Sequence, residues 1–180
     1  LVLQITTTNK AGKNFSDRIT FKFMKKKIVK IGLIGLGRMG QNHLRVLSML
    51  KNVEIIFVYD INMQITKEVA SSYGVNSTDD LSQVLSKVDA VIIASPTFTH
   101  ANYVRQVAKY VKNIFVEKPI AGTLTEAKSI WNLCQKDKLN LQVGFIERFN
   151  PAIQQLKKVL DQSRKVVSID FARTNKISSR

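Results

Sequence analysis

The chain has 180 residues, 44% of them apolar, and a net charge of +15, enough to bury one good core and begin a second. The basic excess sits in the flanks: residues 1–30 hold eight Lys/Arg against one Asp and 151–180 hold seven against two, while 31–150 hold thirteen against ten. A nucleic-acid groove would instead interleave basic and aromatic residues on one element, so no nucleic-acid partner is expected.

Residues 1–23 show no clear period and read as a loose extension, not native to the protein, ahead of a natural start at Met24-Lys25-Lys26-Lys27. Leu1 to Ile5 is too short for the apolar region of a signal peptide. From Ile28 the pattern alternates. An apolar run to Ile34 predicts a strand, and Met39, Leu44, Leu47 and Leu50 a helix over about 39–50. A β-branched and aromatic strand spans Val53 to Tyr59, and a helix follows that Gly74 can cap. A short strand at Val75-Asn76 and a helix through Leu81, Val84 and Leu85 come next, capped from Ser77-Thr78-Asp79-Asp80. Ala90 to Ala94 is a continuous apolar strand of the kind buried on both faces of a parallel sheet. It is followed by a helix over about 99–111, the strand Ile114 to Val116, a helix over about 124–136 and the strand Leu139 to Val143. Alternating β and α units predict an α/β fold, a Rossmann-type doubly wound parallel sheet over 24–145, with ligands at the carboxyl ends of its strands. Beyond it, Pro151 opens a basic helix and Val166 to Phe171 reads as a strand. Residues 146–180 therefore read as the cut-short start of a second, α+β domain, because one helix and one strand cannot bury their own apolar faces.

The first predicted strand runs into Gly35-x-Gly37-x-x-Gly40, with Arg38 and Met39 inside the turn. Gly35 permits a tight turn, Gly37 close approach of a pyrophosphate, and Gly40 close packing of the helix, whose N-terminus attracts the anion. Asp60, twenty residues after Gly40, can accept hydrogen bonds from an adenosine ribose and would repel a 2′-phosphate, so NAD is expected rather than NADP. The alternative, an aspartate capping the next helix, does not exclude this role, and the glycine turn favours the ribose reading. Ser95-Pro96-Thr97 ends the third long strand; Thr97 can cap the next helix. His100 lies in that helix's first turn, where the dipole favours a neutral ring, and taken alone it is a capping or packing residue. His43 reads as packing. Two separated histidines and one cysteine have no metal-ligand spacing, so no metal is expected. Cys134, within an apolar helical pattern, reads as a small filler; a lone cysteine fits a reducing, cytoplasmic setting. No apolar run is long enough to span a bilayer, and no membrane partner is expected. Glu117-Lys118-Pro119 ends a strand that should open on the ligand crevice, where Lys118 could donate to a reacting oxygen and stabilise an alkoxide.

These motifs, with Gly144-Phe145-x-x-Arg148-Phe149-Asn150-Pro151, resemble in order and spacing the Gfo/Idh/MocA oxidoreductases over about 24–180. Within that family, Glu147 to Pro151 and Arg173-Thr174…Ser178-Ser179-Arg180 look most like UDP-N-acetylglucosamine 3-dehydrogenase-type members. The resemblance implies hydride transfer between NAD and a ring carbon of a sugar or sugar nucleotide, with Lys118 as the catalytic lysine. It implies that Ser95, Pro96, Thr97, His100 and Glu117 line the cofactor, that Lys118, Arg148 and Asn150 meet the substrate, and that the full-length protein is a homo-oligomer. It also implies a frequently cis Lys118-Pro119 bond. The family's Asp-x-x-x-His general base has no counterpart here, and Phe145 stands where sugar-nucleotide members often carry histidine. The competing expectation is a dinucleotide-binding module without turnover. A nucleic-acid binder driven by the basic flanks would need salt-sensitive binding that survives trimming them. A methyltransferase has no use for Glu117-Lys118-Pro119.

Overall fold

The computed structural model describes residues 2–8, 14–20, 28–162, 168 and 170. Residues Val2–Thr8 (β1) and Asn14–Thr20 (β2) pair antiparallel in a sheet of their own. This corrects the reading of a loose extension. Ile5 to Thr8 is rich in β-branched residues, which suit a strand.

The main sheet is five parallel strands in the order β4-β3-β5-β6-β7: Val29–Ile34 (β3), Val53–Tyr59 (β4), Ala90–Ile93 (β5), Asn113–Val116 (β6) and Asn140–Val143 (β7). The helices are Arg38–Ser48 (α1), Met63–Tyr73 (α2), Thr97–Ala108 (α3), Leu124–Asp137 (α4) and Pro151–Gln162 (α5). Val91, Ile93, Ile114 and Val116 pack with Val104, Val107 and Ile130 of α3 and α4 in one apolar core. Leu33, Val58, Leu44 and Ala70 form a second core with α1 and α2. Strand alternation thus feeds two layers, as a doubly wound sheet requires.

Several predicted elements change form. Val75-Asn76 is no strand; a single parallel bridge joins Val58 to Ser77. The helix expected through Leu81 to Leu85 is two short 3₁₀ turns, Leu81–Gln83 and Leu85–Lys87, the first capped by Asp80 through the Ser82 N–H. Serines and β-branched valines at 82, 84, 86 and 88 resist a longer helix. Met39 and Leu50, expected on the buried face of α1, are exposed, because the helix ends at Ser48 and Met39 lies at its open N-terminal end. Of the predicted strand over 166–171 only Ser168 and Asp170 are among the described residues, neither in a strand, and the run 171–180 lies outside them.

Register decides where the functional residues fall. Tyr59, Ile34, Ile93, Val116 and Val143 stand in one row across the five strands. The next residue of each carries the ladder one step further: Gly35 N–H donates to Tyr59 O (2.8 Å), Ala94 to Ile34 (2.8 Å), Glu117 to Ile93 (2.9 Å) and Gly144 to Val116 (2.8 Å). Asp60, Gly35, Ala94, Glu117 and Gly144 therefore share one edge, and their successors form the rim of the crevice.

Candidate functional site: the carboxyl edge of the sheet

At the centre of the edge, Gly35 has φ +92°, and an added Cβ would meet Ser95 N at 2.5 Å. Gly40 presses α1 onto the Gly35 carbonyl, in space that a side chain would occupy. At Gly37, the residue before α1, a Cβ would meet nothing within 4 Å. Two glycines close the turn, while the third keeps a cradle open. The first backbone N–H groups of α1, at Arg38, Met39 and Gly40, have no acceptor within the helix and face that end. This geometry fits a pyrophosphate.

Asp60 holds the turn from the neighbouring strand. One carboxylate oxygen accepts the Leu36 N–H at 2.8 Å and the other the Asn62 N–H at 3.0 Å. Asn62 caps α2, with its side-chain oxygen accepting from Gln64 and Ile65. The capping alternative for Asp60 thus gives way to a tie between β4 and the glycine turn. Each oxygen retains a lone pair for a ribose hydroxyl. A cleft beside it is lined by Gly35, Asp60, Ser95, Pro96, Phe98 and Tyr103. Phe98 is 77% exposed, an apolar plate on this rim. Burial, with Tyr59 and Asp60 beside it, pushes the Tyr103 phenol up to about 12.

The loop after β5 differs from expectation in its cap. Pro96 occupies the N-cap position of α3 and Thr97 is the first helical residue, without a side-chain cap. Thr99 takes the stabilising part, its hydroxyl donating to Pro96 O at 2.7 Å and lying 2.7 Å from Ser95 Oγ. His100 is 1% exposed, with Nδ1 2.8 Å from Pro119 O and Nε2 2.8 Å from Ser95 O. Both ring nitrogens thus lie against backbone carbonyls of the two loops. His100 ties the Ser95 loop to the Lys118 turn from beneath, so it supports the rim rather than presenting a ring nitrogen to it.

The Lys118-Pro119 bond is cis, and Lys118 is exposed on the rim. Glu117 is 6% exposed: Oε2 accepts the Lys118 N–H at 3.1 Å, and Oε1 lies 2.8 Å from His43 Nε2. His43, read as packing, is thus a member of the site. The signal available was its place one turn after Gly40, on the helix face that points along the edge. A cleft beside Lys118 is lined by Gly144, Phe145, Glu147 and Arg148. The Arg148 guanidinium stacks 5.4 Å above the Phe145 ring. Asn150 faces inward to local structure: its side-chain oxygen accepts the Ala152 N–H at 3.0 Å at the start of α5, and its amide donates to Glu147 at 2.9 Å. Cys134 is half-buried on α4, and burial pushes its thiol up, in keeping with a filler. Among the described residues no three His, Cys, Asp or Glu side chains gather as metal ligands, and no helix is long and apolar enough to cross a membrane.

The model of the Gfo/Idh/MocA oxidoreductases, an oxidoreductase family with an NAD-binding Rossmann fold, matches residues 29–145. The chain belongs to this family. Among Gfo/Idh/MocA relatives, the inositol 2-dehydrogenase of Rhizobium meliloti is 32% identical over 137 residues, which cover 76% of this chain and 42% of that protein. The structure of Lactobacillus casei myo-inositol dehydrogenase in complex with NAD(H) and myo-inositol superposes with a TM-score of 0.70 at 32% identity, covering 74% of this chain and 41% of the other. The UDP-N-acetylglucosamine 3-dehydrogenase of Acidithiobacillus ferrooxidans gives 0.67 at 30%, covering 73% and 43%. Inositol and sugar-nucleotide members are thus equally similar, and the narrower resemblance is not singled out. The chain spans about two fifths of the length of the curated relatives it matches.

Proposed function

We propose that this chain is the NAD-binding part of a dehydrogenase that oxidises a CH–OH carbon on the ring of a sugar, sugar nucleotide or cyclitol. The observation that carries the reading is the common edge: the open cradle at Gly37, the carboxylate of Asp60 and the exposed Lys118 all follow the same row of strand residues. Gly37 and the α1 N-terminus would hold the pyrophosphate, and Asp60 a ribose diol. The bound nicotinamide supplies the hydride acceptor. Lys118 would donate to the substrate oxygen and stabilise the negative charge that grows there as the carbon is oxidised. Arg148, beside the same cleft, is proposed to meet substrate, with Asn150 setting the helix that follows. Asp60 is also proposed to favour NAD over NADP, and the longer protein to be a homo-oligomer.

A second reading concerns the 180-residue chain alone. Its two histidines are both engaged, His43 with Glu117 and His100 with two carbonyls. His100 has both ring nitrogens against carbonyls, and His43 Nε2 is held by Glu117. Alone, this chain would bind NAD without turning over.

The test uses the longer protein that contains this chain. Lys118→Ala should lower kcat by about 10²–10⁴-fold, the contribution of a positioned proton donor, with NADH affinity nearly intact. Normal turnover would remove Lys118 from the chemistry, and absence of NADH binding by the unsubstituted chain would remove the whole reading.

A further inference from the structure

We propose that His43 is a positioning residue that references the Lys118 turn to the helix at the pyrophosphate cradle. This rests on the reading of Lys118 as the group that holds the reacting oxygen. Helix α1 is fixed at its start because Gly40 sits against the Gly35 carbonyl. One turn later, His43 extends from α1 across the sheet face to the end of β6. Its ring meets Phe115 edge-on, with centroids 5.3 Å apart and planes at 70°. Its Nε2 lies 2.8 Å from Glu117 Oε1. Gly144 makes room on the far side: a Cβ there would lie 2.9 Å from Phe115 Cζ and 3.1 Å from Glu117 Oε2.

Glu117 is therefore a buried carboxylate with a donor at each oxygen, the His43 ring at one and the Lys118 backbone N–H at the other. A carboxylate so far from water keeps one orientation only while its donors are in place, and charge-assisted hydrogen bonds are the strong ones. Without the imidazole donor, Oε1 would face the Phe115 ring and the carboxyl would turn toward water. The Lys118 N–H would then lose its acceptor. The chain His43–Glu117–Lys118 spans from the helix whose N-terminus meets the cofactor's phosphates to the residue that meets the substrate. It acts through backbone position, so His43 itself need touch neither.

Two variants separate this from simple packing. His43→Phe keeps an aromatic ring against Phe115 and removes the donor; His43→Gln keeps an N–H donor and removes the ring. In the ¹⁵N-labelled chain, His43→Phe should speed hydrogen exchange at the Lys118 amide about tenfold, the loss of one hydrogen bond to a charged group. His43→Gln should stay near the unsubstituted rate. In the longer protein, His43→Phe should lower kcat on the order of 10²-fold, as expected for misplacement by about 1 Å, while NADH affinity holds and His43→Gln recovers most of the rate. Unchanged Lys118 exchange in His43→Phe, or equal losses in both variants, would overturn the proposal. Should His43→Phe fail to fold, Glu117→Gln provides an independent reading. The ring ¹⁵N signals of His43 should move while those of His100, the other histidine, stay; unmoved His43 signals would equally overturn it. The exchange and ring measurements need no cofactor. NADH binding by fluorescence tests the functional reading separately.

Discussion

Asp60 carries two tasks, and the variants that separate them are different. Its carboxylate fixes the glycine turn through Leu36 N–H, and in the proposed cofactor pose its charge would oppose a 2′-phosphate. Asp60→Asn retains an oxygen for Leu36 and removes the charge. It should bind NADPH more tightly while keeping most NADH affinity. Asp60→Ala also releases the turn and should weaken both cofactors. Titrations with the two cofactors check this, and an unchanged NADH-to-NADPH ratio in Asp60→Asn would confine Asp60 to the turn. Beside it, Tyr103 stacks edge-on against Tyr59 with centroids 6.2 Å apart. Its phenol rises from 10.0 to about 12, chiefly through burial. The folded protein thus holds this proton more tightly than the unfolded chain. The associated stability is fully present below pH 10.0 and is lost as pH rises toward about 12,. Urea midpoints across that window should fall, and less so in Tyr103→Phe. Absorbance titration should show one of the four tyrosines ionising last.

At the scale of elements, what the sequence makes legible is what local chemistry controls. Gly74 at φ +64° closes α2, as a glycine just past a periodic segment should,. The apolar runs of β5 and β6 mark them as interior strands, and the structure places Val91, Ile93, Ile114 and Val116 in the core. The 3₁₀ turns at 81–87 were less legible because apolar residues three and four apart suit either helix, and only the serines and valines between them argue for the tighter form. Thr97 shows the same limit. It looks like a cap, yet Pro96 takes that position and Thr99 supplies the hydroxyl. α4 shows capping at full strength: Thr123 Oγ1 accepts the Glu126 N–H at 3.2 Å, and Glu126 Oε2 accepts the Thr123 N–H at 3.1 Å. Thr123→Ala should destabilise the fold by about 1 kcal/mol, read as a lower urea midpoint with unchanged slope. Because Thr123 lines neither of the two clefts on the edge, NADH affinity should not move.

Across the whole molecule, the strand-and-glycine grammar reveals the edge, since a parallel sheet brings every strand end to one side whatever the loops do. What it does not reveal is contact between distant residues. His43 and Glu117 are 74 positions apart, and nothing in either local sequence announces the other. Likewise His100, expected to line the cofactor, is occupied from below by two carbonyls that only the folded loops bring near. The basic flanks raise a separate question at this scale. The Gly37 cradle, Asp60 and the Lys118 turn all belong to 28–145, where charge is nearly balanced, and β1 and β2 form a separate sheet. Electrostatic attraction of a dianionic cofactor by residues 1–23 would be long-range and screened by salt, whereas the α1 N-terminus acts at contact. Removing residues 1–23 should therefore leave NADH affinity at physiological salt nearly unchanged and flatten its salt dependence. Titrations of both forms at low and high salt check this. Loss of binding on removal would mean that the first sheet contributes to the cofactor site directly.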